Sequence, residues 1–426
     1  MPMTFPRGFK TVTILLMLLI FGCTNSRLKE ARNAFLENGD PETAVEILEK
    51  EGDGAGLSKL LFHMEKGLLL HQAGRFDESI TELRNASALM QVQDYLSISQ
   101  QTASIVINDW MTEYKGEYCE RLWVHTYLMI NYLLVHHYED ALVEAKQALS
   151  VFNAYPEALT QAYFSMALIG FCHEVMNEFN DAYIIYRRLA EMLPDSSPIC
   201  RLQQKMGSLS GIDDLPDCDV LKGKKDNSFD RWEKGELILF VGLGFAPVKV
   251  PGNIILPPGI RFSFPRYERR SSAGWEITID RGRHSIPAIA VSTDVQQVAE
   301  SSLADRAKRI YIKEAARVAA KEVIIREVRK EDEVAGWMTR MAMMAVEEPD
   351  TRSWHTLPAI NSFLRIPLAP DTYHLTVNIE GRDRRSDDIV LPVFTVKKGE
   401  RRFFAIRASG TYVSVQGQQE MRRTTE

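Results

Sequence analysis

Two hydrophobic periods divide the chain. From Arg27 to Leu193 apolar residues recur at helical spacing and proline is scarce. From Glu236 onward short apolar runs alternate with polar residues at period two, punctuated by Pro and Gly. The pattern predicts a multidomain chain: an all-α helical solenoid over 31–195, then an α+β domain over 235–410 with antiparallel β-sandwich-like strands and one long Ala-rich helix. Residues 196–234 read as a linker, because PDSSPIC, GIDDLPDCDV and KGKKDN are polar and turn-rich. Residues 411–426 read as a flexible tail. In the long helix, Thr293 to Gln296 fits a capping box with Thr293 as N-cap. Its apolar stripe from Val295 to Val323 predicts packing on the adjacent sheet, with a membrane-surface helix as the alternative. A shorter helix around Val334 to Val346 carries Trp337, Met338, Met341 and Met344 at a spacing that predicts core.

Within the helical half the pattern repeats at a period near 34. In EKGLLLHQAGRFDESITELRNASAL, the small residues Gly67, Ser79 and Ala86 sit where two helices must approach closely. Leu70, Phe76 and Leu83 fill the space between them, and Gly74 makes the tight turn. This resembles a tetratricopeptide (TPR) repeat. Tyr138, Ala141 and Ala148 mark a second unit, Gly170, Phe179 and Ala182 a third, and NGDPETAVEILEK an earlier half-unit. The 62 residues between Ser79 and Ala141 predict a divergent helix or pair around Asp94 to Glu113. The resemblance implies a concave groove that takes a protein partner. His136 and His137 do not form a metal pair, since neighbours on a helix point about 100° apart.

The first 23 residues change the picture of location. Arg7 and Lys10 precede TVTILLMLLIFGC, an apolar run too short for a membrane span of roughly 20 residues. Ile20, Phe21, Gly22 and Cys23 resemble the lipobox of bacterial lipoproteins. That resemblance implies a signal peptide over 1–22, lipidation of Cys23, membrane attachment through the lipid and a tether over 23–30. The alternatives are an uncleaved anchor and an ordinary secretory signal. Thr24, in place of Asp, favours the outer membrane, facing the periplasm.

Charge is uneven. Residues 24–200 hold 13 Lys+Arg against 26 Asp+Glu, a net of −13; residues 201–426 hold 36 against 31, a net of +5; the leader adds +2, giving the total of −6. The halves are set to attract each other, or the acidic half to meet a basic partner, or both are simply solvated surfaces. No basic cluster carries interleaved aromatics, so nucleic acid is not an expected partner. Four cysteines remain besides Cys23, and none forms a CxxC motif. Cys119 and Cys172 fall in predicted helices; Cys200 and Cys218 flank a loop and are the better placed pair for a disulfide.

Chemistry is thin. Gly242 and Gly244 form a G-x-G after a strand, but Pro247 and a further strand follow where a phosphate-binding helix would have to open. Asp350, Arg352, Ser353, Trp354 and His355 make the densest polar-aromatic cluster, and invite a hydrolase reading. A triad needs members converging from separate elements, and no G-x-S-x-G occurs. A salt-bridged Asp350–Arg352 turn with Trp354 docked in the core is the plainer reading. Together with Gly244 to Lys249, this segment is the candidate functional stretch. No metal-ligand spacing and no cofactor motif is present, so neither is expected. The strand run closed by Lys398-Gly399 resembles small β-sandwich modules of secreted and envelope proteins. The whole layout, with LFVGLGFAPVK, DTRSWHTLP and the IPLAP turn, resembles a family of TPR-containing bacterial lipoproteins. That resemblance implies architecture and location and supplies no activity. A non-enzymatic envelope scaffold, accessory to cell-wall or envelope assembly, is the leading expectation; an envelope hydrolase is the alternative.

Overall fold

A computed structural model describes residues 26–50, 56–99, 112–218, 234–257, 260–271, 274–345, 348–381, 384–410 and 412–419. Nine helices open it: α1 (Ser26–Asn38), α2 (Pro41–Glu49), α3 (Lys59–Gln72), α4 (Phe76–Ser99), α5 (Tyr118–Leu134), α6 (Tyr138–Ala154), α7 (Tyr163–Val175), α8 (Phe179–Met192) and α9 (Ser197–Leu209). They pack as successive antiparallel pairs. Three turns between partners share one geometry. Gly74, His136 and Asn177 all take positive φ (76°, 61° and 60°) just past α3, α5 and α7. At each, the two amides that follow the C-cap bond back to the last-turn carbonyls, as in Arg75 N to Leu70 O, His137 N to Tyr132 O and Glu178 N to His173 O.

The packing positions follow from size. A Cβ on Gly67 would lie 2.7 Å from the Leu83 side chain, and one on Gly170 would lie 2.6 Å from the Tyr186 ring. Leu70, Phe76, Ser79, Leu83, Ala86, Ala141, Ala148 and Ala182 are buried, while Tyr138 and Phe179 are partly buried. The long spacing between Ser79 and Ala141 is taken up partly by α4, which runs 24 residues; 100–111 lie outside the described residues.

Four of the expected boundaries change. The span expected as linker begins with α9, because Ile199, Leu202 and Met206 bury one face of 197–209 against α8. Cys200 and Cys218 are bridged across the turn that follows, while Cys119 and Cys172 are buried free thiols. The expected tether overlaps α1, which starts at Ser26. The expected tail contains a strand, since Val413–Gly417 pairs with Phe404–Ala408. The long helix is capped by Asp294, whose carboxylate accepts from Gln296 N at 2.9 Å. Thr293 lies inside the preceding strand instead, its hydroxyl accepting from Phe164 N at 2.9 Å.

The second half contains β1 (Gly235–Leu243), β2 (Val248–Leu256), β3 (Ile260–Glu268), β4 (Trp275–Arg281), β5 (His284–Ser285), β6 (Ile289–Asp294), α10 (Val295–Glu331) and α11 (Glu333–Ala345). After them come β7 (Ile360–Leu368), β8 (Asp371–Tyr373), β9 (Thr376–Gly381), β10 (Arg384–Val390), β11 (Phe394–Val396), β12 (Arg401–Ala408) and β13 (Val413–Gly417). The main sheet runs β13-β12-β1-β7-β6 and a second runs β10-β9-β4-β5; β11-β8 and β2-β3 are two-stranded. The expected all-antiparallel pattern has one exception: β1 and β12 are parallel. β1 sits at the centre, and its period-two side chains serve two cores. Leu237, Leu239, Val241 and Leu243 pack with Ile279, Val377 and Ile379 of the second sheet. Ile238 and Phe240 pack, with Phe363 and Phe403, into the helical half. Phe171 of α7 lies 5.3 Å from Phe363 and 6.2 Å from Phe403. The result is three layers: helices, main sheet, second sheet.

Candidate functional site at the junction of the halves

Gly244 to Lys249 and Asp350 to Pro358 lie side by side. Gly244 follows β1 with φ +61°, and a Cβ there would meet Ser271 Oγ at 2.7 Å. Ala246 N donates to Leu357 O at 2.8 Å and Lys249 N to Ser353 Oγ at 3.4 Å. Both segments are pressed against the first helices of the pairs. α3, α5 and α7 are buried almost all round, which marks helices between two layers.

Each of these helices turns a buried carboxylate toward the second half. Glu65 of α3 accepts from His355 N (2.9 Å), Thr356 N (3.3 Å), Thr356 Oγ1 (2.5 Å) and Arg32 Nε (2.7 Å). Glu120 of α5 accepts from Trp354 N at 2.7 Å, Glu117 N at 2.8 Å and the Tyr114 hydroxyl. Glu174 of α7 receives Arg365 Nη1 at 2.6 Å and Nη2 at 2.9 Å, and Arg365 also reaches Glu236 at 2.6 Å. Just before α5, Glu117 binds Lys249 Nζ and Arg306 Nη1, both at 2.5 Å.

Electrostatics divide these carboxylates. Burial raises Glu120 above its ordinary pKa, and Glu117 adds to the rise against the opposing Lys249. Burial also opposes ionisation of Glu117, but Lys249 and Arg306 outweigh it and hold its pKa at about 2. Burial would lower Lys249, yet Glu117 and Glu120 leave it raised. Burial opposes ionisation of Glu174, and the Arg365 guanidinium overcomes it, leaving the carboxyl well below its ordinary range.

The polar side chains of the 350–355 cluster are paired structurally. Asp350 is spent on Arg352, accepting from its N (3.0 Å), Nε (2.9 Å) and Nη2 (2.8 Å). Arg352 continues to Thr112 O at 2.9 Å. Ser353 is buried and faces Lys249 N. Burial, with Arg32 and Arg270 nearby, drives the His355 pKa down to about 2, so its ring stays neutral. No hydrogen bond joins that ring to Ser353 or Asp350 among the described residues. These residues therefore do not form a Ser–His–Asp triad. Trp354 is 1% exposed, with Nε1 donating to Thr356 Oγ1 at 3.2 Å. A cavity of about 10 Å³ between Glu120, Trp123, Tyr267 and Trp354 has room for one water molecule. Deeper in, Arg407 is buried with no carboxylate partner among the described residues, its guanidinium 5.2 Å from the Phe245 ring and 6.0 Å from Phe35.

The face expected to take a partner segment is filled by this chain itself. β6, β7 and β12 lie on α5 and α7, and the 350–358 segment lies against Glu65 and Glu120. The first helices of the pairs, where a partner segment is expected, seat the second half of the chain. Sequence reasoning passed over Glu65, Glu117, Glu120, Glu174 and Arg365. A signal existed, because Glu65 in LLFHMEKGLLL and Glu174 in IGFCHEV are charges inside helices with no polar face. His173, Glu178 and Asp181 approach one another within 4.8 Å. His173 Nδ1 is already 2.7 Å from Glu178, repeating the pinning pairs His63–Glu82 and His125–Glu144, also at 2.7 Å. Cys23 lies outside the described residues.

No family model and no curated protein matches the chain. Among solved structures it is similar to MamA AMB-1, at 14% identity over 44% of this chain and 89% of that one, with a TM-score of 0.30. It is also similar to the TPR-like repeats of a Podosopora anserina kinesin light chain, at 14% identity over 44% and 86%, TM-score 0.31. MamA from Desulfovibrio magneticus RS-1 gives 14% identity over 45% and 89%, TM-score 0.30.

Proposed function

We propose that this protein is a non-enzymatic scaffold of the bacterial envelope, attached to the outer membrane through lipid on Cys23 and facing the periplasm. Its helical array cradles its own α+β half and displays the two as one body to a protein partner, as an accessory to cell-wall or envelope assembly. One observation carries the scaffold reading: Glu65, Glu120 and Glu174 are consumed in holding the halves together. Their lone pairs go to backbone amides and guanidinium groups, which is structural use of carboxylates and leaves none poised for turnover. The apolar run ending at Cys23 and the Cys200–Cys218 bridge support an oxidising, extracytoplasmic compartment.

Metabolic labelling with a palmitate analogue tests the anchor. The wild-type chain should incorporate label and sediment with outer membranes, and Cys23→Ser should lose both properties. Label retained by Cys23→Ser would overturn the lipid assignment. Cross-linking in intact membranes tests the scaffold; failure to recover a reproducible partner contradicts it.

A further inference from the structure

Eighteen large apolar side chains are well exposed among the described residues, and eleven of them lie between 254 and 341. They belong to an arm made of the β2–β3 hairpin, the outer length of α10, and α11. Two sides of α10 are covered within the arm. On one, Glu314 accepts from Ser263 N of β3 at 3.4 Å and Tyr311 meets the Phe264 ring at 6.1 Å. On another, α11 returns antiparallel, with Arg340 bidentate on Glu322 (2.7 and 2.8 Å). Gly336 sits so close that a Cβ would be 2.5 Å from Arg329 Cβ.

A third side is open. Ile312, Ala316, Ala319 and Val323 are all exposed and spaced four, three and four residues apart. That is the seam of a helix meant to lie along another helix, with alanines permitting close approach. α11 adds Val334, Trp337, Met338 and Met341, 52–70% exposed, at i, i+3, i+4 and i+7. The sequence predicts Trp337, Met338 and Met341 as core; they instead face away from Gly336 and Arg340, which hold α11 on α10.

We propose that this face pairs with the same face of a second copy of the chain, α10 crossing its counterpart antiparallel about a two-fold axis. Charge favours that occupant. The exposed flanks carry both signs, Asp305 and Glu327 standing among Lys308, Arg326, Arg329 and Lys330, and the tip is Glu331-Asp332-Glu333. A lipid surface selects a uniformly basic rim, and an acidic tip opposes it. Two-fold pairing centred between Arg317 and Val318 sets Ile312 opposite Val323 of the second copy, Ala316 opposite its Ala319, and Asp305 opposite its Lys330. The six large apolar side chains of the open face, Ile312, Val323, Val334, Trp337, Met338 and Met341, are 52–70% exposed, a patch of the size that supplies much of the roughly 800 Å² one partner of a standard interface buries.

The test is sedimentation equilibrium of the full chain in a density-matched non-ionic detergent, with and without Cys23→Ser. A dimer is expected in both forms, so a failed lipid assignment leaves this result intact. Ala319→Glu, on an exposed position, should weaken association by at least about tenfold with an unchanged melting temperature. Asp305→Lys should weaken it, and Asp305→Lys with Lys330→Asp should restore it. A monomer throughout, or a dimer indifferent to Ala319→Glu and to the charge exchange, overturns the proposal. So does a monomer whose binding to phosphatidylethanolamine–phosphatidylglycerol vesicles is lost with Trp337→Ala, since the face would then be a lipid surface.

Discussion

A relay of single side chains ties the first three helices of the central array together. His71 Nδ1 lies 2.6 Å from Asn131 Oδ1, Asn131 Nδ2 donates to Ser79 Oγ at 2.8 Å, and Ser79 donates to Gly67 O at 2.6 Å. Burial, with Arg407 adding to it against the Asn131 bond, lowers the His71 pKa to about 4. His355 is lowered to about 2. In both the folded pKa lies below the unfolded value near 6.5. The unfolded chain therefore binds the extra protons first, and stability is complete above pH 6.5 and falls as pH drops toward 4. His71 alone accounts for about 3 kcal/mol across that window. Glu117 acts lower: its folded pKa of about 2 leaves its contribution intact above about 4.5, and that contribution is lost as pH falls through 2. Thermal unfolding from pH 7 to pH 4 should show the first slope, and His71→Gln should flatten it. A wild-type melting temperature constant over that range contradicts the assignment.

At the scale of elements, the three repeated turns separate what the sequence displays from what it conceals. Gly74 is legible, because glycine after a helix predicts the left-handed C′ residue. His136 and Asn177 occupy the same place with a Cβ, so residue identity alone does not reveal the repeat. Gly74→Ala should cost about 1–2 kcal/mol, since it forces an L side chain to positive φ and its Cβ would meet Gln416 Oε1 at 2.6 Å. Asn177→Gly should be neutral or stabilise by a few tenths of a kcal/mol. Urea titration of the two variants checks the order; equal losses would mean the turns are not equivalent. Periodicity likewise exposed the small packing positions of the helix pairs, Gly67 and Ala86 among them, because close approach admits few residue types. It misjudged α11, where Trp337 and Met338 have core spacing and an open face. Helical spacing reports that a face is apolar and is silent on what covers it.

For the whole molecule, the missing knowledge was long-range. The sequence shows a helical half and a stranded half, and even a charge difference that would draw them together. It does not show that Phe171 packs edge-on against Phe363 and Phe403, or that Glu174 meets Arg365, 191 residues away. Those contacts depend on which faces meet, and no local pattern encodes that. They also give the halves one fate. Main-sheet side chains such as Ile238, Phe240, Phe363 and Phe403 share one core with the helices, and each apolar residue of this size left uncovered costs about 1.5–3 kcal/mol. Removing the helices would also leave Arg365 facing Glu236 alone, with its other carboxylate gone. Cleavage between 219 and 233, at an inserted protease site, should therefore leave two fragments that elute together and unfold in one transition. Glu174→Ala should loosen the nicked pair by about 1.5–3 kcal/mol, the worth of a charge-assisted hydrogen bond, since Arg365 then keeps Glu236 alone. Fragments that separate on cleavage, or melt in two independent steps, would show that the helical array is not the seat of the second half.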